Sequence, residues 1–290
     1  MSGSRSEPFA CVRARAVPEL AERVAAEAWA AGASGLEERD EGTGVSLLLY
    51  APAARAPAVR AAAVALLGEA AVSAAEEVPE ADWPERWKQG LRPVVVSPRL
   101  VVRPPFARCV LAPGQREVVI EPRQAFGTGA HASTALALEA LDAAVGPRAA
   151  ETLLDVGCGS GVLALAALRL GVRRALAFDV DSAAAREALD NARRNGLGDR
   201  LAVFAGPLEA LGARAFELVV ANLLRSELAP LLPELAARLR PGGLLVVSGL
   251  LAAEQGWAER AIAALGARVV RTALRRDEGG DEWLALTASR

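Results

Sequence analysis

A glycine-rich segment near the middle of the chain has the residue types that hold a nucleotide-like cofactor. Residues 153–161 read Leu-Leu-Asp-Val-Gly-Cys-Gly-Ser-Gly, which predicts a buried strand, a tight turn and the start of a helix. Gly157, Gly159 and Gly161 let the backbone turn sharply and approach a ligand without a Cβ atom in the way. The dinucleotide-binding fingerprint has its third glycine one position later, where Val162 stands. The segment therefore predicts a nucleoside cofactor but departs from the NAD pattern.

Two carboxylates accompany this loop. Asp155 precedes the first glycine, and Asp179 ends the next predicted strand, 18 residues beyond Gly161. A carboxylate at that strand end can accept hydrogen bonds from two ribose hydroxyls, in NAD enzymes as well as in others. Asp181 is better suited to cap the following helix. An acid followed by Gly-x-Gly-x-Gly resembles the first motif of class I S-adenosylmethionine-dependent methyltransferases, so we expect S-adenosylmethionine as the cofactor, bound by Asp155, the three glycines and Asp179.

A polar residue also ends the fourth predicted strand of this region, where the sequence reads Val-Val-Ala-Asn222-Leu223-Leu. Open α/β sheets bind their ligands at the carboxyl ends of such strands. Amino-methylating enzymes often carry Asn/Asp-Pro-Pro-aromatic here, and the amide oxygen and the next carbonyl hold the acceptor nitrogen. This chain keeps the amide but lacks the prolines and the aromatic ring, which weakens the case for a flipped nucleobase. Asn222 and the Leu223 carbonyl are the candidate catalytic groups, although Asn222 could instead cap a turn.

The remaining chemical inventory is small. The chain has one histidine, His131, and three cysteines far apart in sequence. No close Cys/His spacing occurs, so we expect no metal site, no disulfide framework and no mechanism with two histidines. Cys158, inside the glycine loop, has no neighbouring histidine to act as its base, which favours a packing role. A net charge of −2 argues against direct nucleic-acid binding, and without a long apolar run we expect a soluble, cytoplasmic protein.

The elements that position these residues alternate regularly from residue 152 onward. Helical patterns over 161–170, 182–195 and 227–239 separate short apolar segments, which predicts a doubly wound, mostly parallel sheet covered on both faces. The last two strands lie close together in sequence, so we expect one antiparallel strand. The seven predicted strands cover residues 152–156, 175–180, 201–205, 218–222, 244–251, 268–274 and 282–287.

The first 80 residues have a different pattern. Their β-α-β-β-α-β order predicts a small ferredoxin-like α+β domain. They hold 7 Arg and 12 Asp or Glu, a net charge of −5, whereas the remainder carries +3. An acidic small domain suits a basic protein partner better than a polyanion, and a simple solvated surface is equally compatible with it. We expect a linker helix over residues 81–92, with Trp83 and Trp87 on one face, and a second domain over 93–290.

The segment before the glycine loop makes the resemblance specific. Residues 125–134 read Ala-Phe-Gly-Thr-Gly-Ala-His-Ala-Ser-Thr. With the loop, Phe-Asp-Val-Asp and Ala-Asn-Leu-Leu in the same order, the chain resembles the ribosomal protein L11 methyltransferase (PrmA) family over most of residues 82–251. Family members more usually have Pro-Thr-Thr after the histidine, whereas this chain keeps only Thr134. The resemblance implies cofactor contacts at Thr134, Gly157, Asp179 and Asn222, and a mobile lid in which Phe126, Thr128 and Gly129 cover the methionine end.

The resemblance also implies a reaction and a substrate. The enzyme would methylate the α-amino group and lysine side chains of a large-subunit ribosomal protein, which the N-terminal domain would recognise. We expect a monomer and no obligatory general base, with His131 holding the lid, although a histidine is also the side chain best suited to act as a base near neutral pH. Alternatives are another protein-lysine or small-amine methyltransferase, a nucleic-acid methyltransferase, a catalytically silent assembly protein and, least favoured, an NAD-dependent dehydrogenase.

Overall fold

A computed structural model of the chain describes residues 8–40, 44–78, 92–122, 131–146, 150–277 and 279–290. The chain divides into two compact units, Met1–Gly90 and Leu91–Arg290. The domain limits expected from the sequence, and the linker helix with its two tryptophans, fall in or beside residues 79–91, which lie outside the described residues. They stay predictions. Among the described residues, none of the helices combines the length and the hydropathy that a membrane span requires.

The N-terminal unit is a four-stranded antiparallel sheet with two helices. Its strands have the order β2-β3-β1-β4, and alternate residues of β3 such as Leu47 and Leu49 are completely buried together with Val24 and Val59 from the helices. The elements follow one another in the order β-α-β-β-α-β, and the last strand is only three residues long. The elements are β1 (Phe9–Ala16), α1 (Pro18–Ala30), β2 (Gly35–Asp40), β3 (Val45–Pro52), α2 (Ala56–Leu67) and β4 (Glu76–Val78).

The second unit begins with a small sheet and a helix. Strands β5 (Val94–Ser97) and β6 (Leu100–Arg103) are antiparallel, and β7 (Arg116–Val119) lies parallel to β6. Helix α3 (Ala132–Ala144) follows, and nine of its residues are buried. Because α3 is apolar almost all round, it is held inside the unit, and its first turn has a fixed place beside the large sheet.

The large sheet has seven strands in the order β10-β9-β8-β11-β12-β14-β13. The first five are parallel, and β14 is antiparallel to both neighbours. This confirms the predicted doubly wound, mostly parallel sheet with one antiparallel strand. The elements are β8 (Thr152–Val156), α4 (Val162–Leu170), β9 (Arg174–Asp179), α5 (Ser182–Arg194), β10 (Leu201–Ala205), β11 (Phe216–Asn222), α6 (Arg225–Ala237), β12 (Leu239–Leu251), α7 (Gln255–Ala264), β13 (Arg268–Arg276) and β14 (Glu282–Ser289).

Separate apolar clusters pack on the two faces of this sheet. The strand order reverses at β8, since the chain moves outward to β9 and β10 and then returns to β11 on the other side. Open α/β sheets bind ligands at such a reversal, outside the carboxyl ends of the strands. Helix α7 was not expected from the sequence, because only Ala258 and Ile262 on its length are buried and its apolar pattern is weak.

Candidate active site

A cavity of about 610 Å³ lies at the carboxyl ends of β8, β9 and β11. Its volume is in the range that small-molecule sites occupy. It adjoins the reversal of strand order, the position at which the sequence pattern predicts a cofactor. The sequence-predicted residues on its wall are Thr134, Gly157, Gly159, Asp179, Asn222 and Leu223, together with His131 and Cys158.

The glycine loop follows β8 and brings backbone to the cavity wall. Gly157 has a φ of 65°, which a residue with a side chain rarely adopts. A Cβ atom there would lie 2.6 Å from the Leu223 Cδ2 atom. The backbone conformation therefore favours glycine at this position, and the Leu223 side chain fills the space that a Cβ atom would take.

Asp179 lies on the cavity wall at the end of β9 and holds the loop from the side. Its carboxylate accepts hydrogen bonds from the Gly159 amide at 2.9 Å and from the Asp181 amide at 3.0 Å. Asp181 in turn accepts one from the Ala183 amide at 2.8 Å and caps α5, as predicted. Each carboxylate oxygen can accept more than one hydrogen bond, so Asp179 has acceptor capacity left for a ligand hydroxyl.

Two residues expected to contact the cofactor do not line the cavity. Gly161 has a φ of 79°, and a Cβ atom there would lie 3.0 Å from the Ala188 Cβ atom of α5, so this glycine permits close helix packing. Asp155 is completely buried, and its Oδ2 atom accepts a hydrogen bond from the Ala164 amide at 3.0 Å. Gly161 contacts α5 and Asp155 bonds to α4. Both residues therefore hold the loop against the helices and not at the cavity.

Burial governs the ionisation of the acid and the thiol near the loop. It raises the pKa of Asp155 to about 7, opposed by the Ala164 hydrogen bond and reinforced by the charge of Asp179. Burial likewise raises the pKa of the Cys158 thiol far above its usual value, and the carboxylates of Asp155 and Asp179 raise it further. A thiol must ionise to act as a nucleophile. Cys158 is therefore a packing residue.

Asn222 presents an unsatisfied oxygen at the end of β11. Its Nδ2 group donates a hydrogen bond to the Thr134 hydroxyl oxygen at 3.2 Å, which fixes the orientation of the amide. Its Oδ1 atom is buried and has no hydrogen-bond partner among the described residues. An unpaired buried acceptor is costly, by about 1–3 kcal/mol, so a donor from a ligand in the cavity would stabilise this arrangement.

His131 lies at the N-cap of α3 and on the cavity wall. Its Nδ1 atom accepts a hydrogen bond from the Ser133 amide at 3.2 Å and lies 2.8 Å from the Ser133 hydroxyl oxygen. An Nδ1 atom that accepts from an N–H group carries no proton, so the neutral ring has its proton on Nε2. The imidazole also meets the Trp283 ring edge to face, with 4.7 Å between centroids.

Trp283 on β14 was missed by the sequence analysis. Its ring lines the cavity, and its Nε1 group donates a hydrogen bond to Asp277 Oδ2 at 2.7 Å. Nothing in the local sequence distinguishes Trp283 from a packing aromatic, because the antiparallel pairing of β14 with β12 brings it to the site. The predicted lid residues Phe126, Thr128 and Gly129 lie in the segment 123–130, outside the described residues.

One side of the cavity is apolar. Val156 and Phe178 are buried on it, and Val180, the residue after Asp179, lies on its wall with 80% of its surface exposed. The Phe178 ring stacks on Phe204 with 5.4 Å between centroids. An apolar surface beside the strand-end carboxylate suits a ligand with a flat base next to a sugar.

Residues 26–290 match the model of the ribosomal protein L11 methyltransferase (PrmA) family. The chain is 42% identical over 260 residues to a ribosomal protein L11 methyltransferase from Sorangium cellulosum, an alignment that covers 86% of this chain and 80% of the relative. It is 43% identical over 206 residues to the same-named protein from Syntrophotalea carbinolica, over 71% of this chain and 65% of that one. A solved ribosomal protein L11 methylase from Lactobacillus delbrueckii subsp. bulgaricus superposes with a TM-score of 0.61 at 30% identity, covering 69% of this chain and 98% of the other.

Proposed function

The chain belongs to the ribosomal protein L11 methyltransferase family, and we propose that it transfers methyl groups from S-adenosylmethionine to amino groups of ribosomal protein L11. The acceptors would be the N-terminal α-amine and lysine side chains. The observation that carries this proposal is the Asn222 Oδ1 atom, which is buried and has no hydrogen-bond partner among the described residues, in a residue that lines the cavity. A neutral amine supplies the N–H donor that this oxygen lacks.

The cavity fits the proposed cofactor. Asp179 has acceptor capacity for the two ribose hydroxyls, Gly157 and Gly159 allow close approach of the backbone, and Val180 with Phe178 supplies an apolar surface for the adenine ring. Thr134 holds Asn222 beside them. When bound, the cofactor supplies a methyl group on positively charged sulfur, which a neutral nitrogen can attack.

The chain's own part in the reaction is to select and orient the neutral amine. A free lysine side chain has a pKa of about 10.4 and is an ammonium at neutral pH, with no lone pair for attack. Loss of solvent around an amine that enters the cavity would disfavour its charged form and lower its pKa, and solvent can take the proton. Asn222 Oδ1 then accepts one N–H group and the Leu223 carbonyl accepts another, which leaves the nitrogen lone pair directed away from both. Orientation of this kind supplies much of the rate of a bimolecular reaction.

Substrate recognition would come from the N-terminal unit. Its two edge strands carry the exposed carboxylates Glu37 and Glu38 on β2 and Glu76 and Glu77 on β4. Opposite charge steers association and suppresses the wrong partners. We therefore assign the unit to binding a basic ribosomal protein, with no contact to nucleic acid and with one copy of the chain sufficient for activity.

Replacement of Asn222 tests the acceptor role. We expect Asn222→Ala to lower kcat by about a hundredfold or more, while the Kd for S-adenosylhomocysteine measured by calorimetry changes less than about threefold. Ser226→Ala, which removes an exposed hydroxyl four residues further along on α6, is the matched control and should retain wild-type kcat. Equal losses in cofactor affinity and turnover would make Asn222 a cofactor-binding residue instead.

A further inference from the structure

Strand β12 is irregular where it passes the cavity. Its register with β14 shifts between Val247 and Leu250, so Ser248 and Gly249 form a bulge in the ladder. Gly249 has a φ of 84°, in the left-handed region that side chains disfavour. Such bulges bend a strand and are common beside active sites. Gly249 itself lies on the cavity wall.

The bulge presses directly against the backbone of Leu223. A Cβ atom on Gly249 would lie 2.5 Å from the Leu223 carbonyl oxygen and 2.8 Å from both its carbonyl carbon and its nitrogen. The Leu223 amide is tied to the same bulge, because it donates a hydrogen bond to the Ser248 carbonyl oxygen at 3.1 Å. No side-chain rotation can relieve this clash, because a Cβ atom has a fixed position and the atoms it meets belong to the backbone. At Gly157, by contrast, the atom in the way is the end of a leucine side chain.

The bulge also connects Leu223 to the first turn of α3. The Ser248 hydroxyl donates a hydrogen bond to the Ser133 carbonyl oxygen at 2.8 Å, and the next residue, Thr134, accepts the hydrogen bond from Asn222. Consecutive residues of α3 are thus linked to Leu223, through Ser248, and to Asn222 directly. The Leu223 carbonyl oxygen accepts no hydrogen bond from the residues that the structure describes, so its acceptor capacity is unused.

We propose that Gly249 is a positioning residue for the methyl acceptor: its missing side chain lets the Ser248–Gly249 bulge hold the Leu223 carbonyl beside the Asn222 oxygen. The inference rests on the proposed acceptor role of these two oxygens. A methyl group at position 249 displaces the Leu223 peptide, so the amine keeps one of its two acceptors and loses its orientation. We expect the cofactor contact through Asp179 to be kept, because Asp179 bonds to Gly159 and Asp181 and not to the bulge.

The test is Gly249→Ala in the full-length protein, compared with Gly266→Ala. Gly266 has a φ of 73° and open space around its Cβ position, so the control reproduces the backbone strain without the clash. We expect Gly249→Ala to lower kcat by about twentyfold or more with the Kd for S-adenosylhomocysteine within about threefold of wild type, and Gly266→Ala to keep both within about twofold. In an Asn222→Ala background, Gly249→Ala should lower kcat by less than about threefold, because both changes act on one acceptor position.

The possible failures are distinguishable. If Asn222→Ala lowers kcat and Gly249→Ala does not, the inference about Gly249 is wrong and the proposed function stands. If Asn222→Ala leaves kcat unchanged, the acceptor role itself fails. A parallel loss of cofactor affinity in Gly249→Ala, or full additivity of the two changes, contradicts a positioning role. Should Gly249→Ala not fold, Ser248→Ala decides: we expect a several-fold lower kcat with unchanged cofactor affinity, and wild-type kcat overturns the inference.

Discussion

His131 is the residue for which two roles compete, because it both begins α3 and lies on the cavity wall. Its Nδ1 atom is engaged with the Ser133 amide, and N-cap hydrogen bonds of this kind are worth about 1 kcal/mol. A general base would instead take a proton from the acceptor amine. The neighbouring turn carries Ser133 and Thr134, whose contacts hold β12 and Asn222. The capping role is therefore sufficient to explain a histidine at this position.

Substitution by a residue that caps but cannot act as a base separates the two roles. We expect His131→Ala to retain most of wild-type kcat at pH 8 and to lower the stability of the protein by about 1 kcal/mol. His131→Asn should recover most of that stability, since asparagine is a good N-cap residue. Turnover between pH 6.5 and 9 and the thermal unfolding midpoint are the measurements. A hundredfold loss of kcat in both variants, with the pH dependence abolished, would establish His131 as the base.

At the scale of elements, the glycine loop is shaped as much by helix packing as by the ligand. Of its three glycines, Gly157 and Gly159 line the cavity, whereas Gly161 lies against Ala188 between α4 and α5. Sequence spacing shows that the third glycine begins a helix but does not show which neighbour approaches it. The same holds for Asp155. The sequence pattern places an acid before the loop, but only the structure shows that its carboxylate accepts a hydrogen bond from the Ala164 amide of α4.

The packing role of Gly161 predicts a stability effect with a specific rescue. We expect Gly161→Ala to destabilise the protein by about 1–3 kcal/mol through overpacking, which corresponds to a thermal midpoint several degrees lower. Gly196→Ala, at a φ of 66° in open space, should lower the midpoint less. Adding Ala188→Gly should restore part of the Gly161→Ala loss because it removes the opposing Cβ atom. Equal effects of the two glycine changes, or no rescue, would contradict this packing role.

At the same scale, the sequence predicted the large sheet well and the individual contacts less well. Apolar strands that alternate with helices at close spacing predict a parallel sheet. The positions of Asp179 and Asn222 at strand ends follow from this prediction. Trp283 and Gly249 could not be predicted, because they reach the cavity through strand order and a bulge in β12 rather than through local pattern. Helix α7 was missed for lack of a strong apolar face.

At the scale of the whole molecule, a near-neutral net charge of −2 conceals two units of opposite sign, −5 over residues 1–80 and +3 over the rest. The residues that line the described cavity all belong to the second unit, and the role proposed for the acidic unit is recognition. The sequence pattern changes near residue 80, and the chain divides into two compact units at residue 90. The order of elements within the acidic unit can be predicted from the sequence. The partner of this unit cannot, because exposed carboxylates indicate only that a partner is basic and not which protein surface binds.

The most direct test of the proposed function is to identify the atoms that receive the methyl group. The full-length protein would be incubated with methyl-labelled S-adenosylmethionine, unmethylated ribosomal protein L11 and ribosomal RNA, and the products mapped by mass spectrometry, with Asn222→Ala as the control. We predict label on the α-amino group and lysine nitrogens of the ribosomal protein, reduced about a hundredfold in the variant. Label on RNA or on carboxylate or hydroxyl oxygens, or no label despite cofactor binding, would contradict the account.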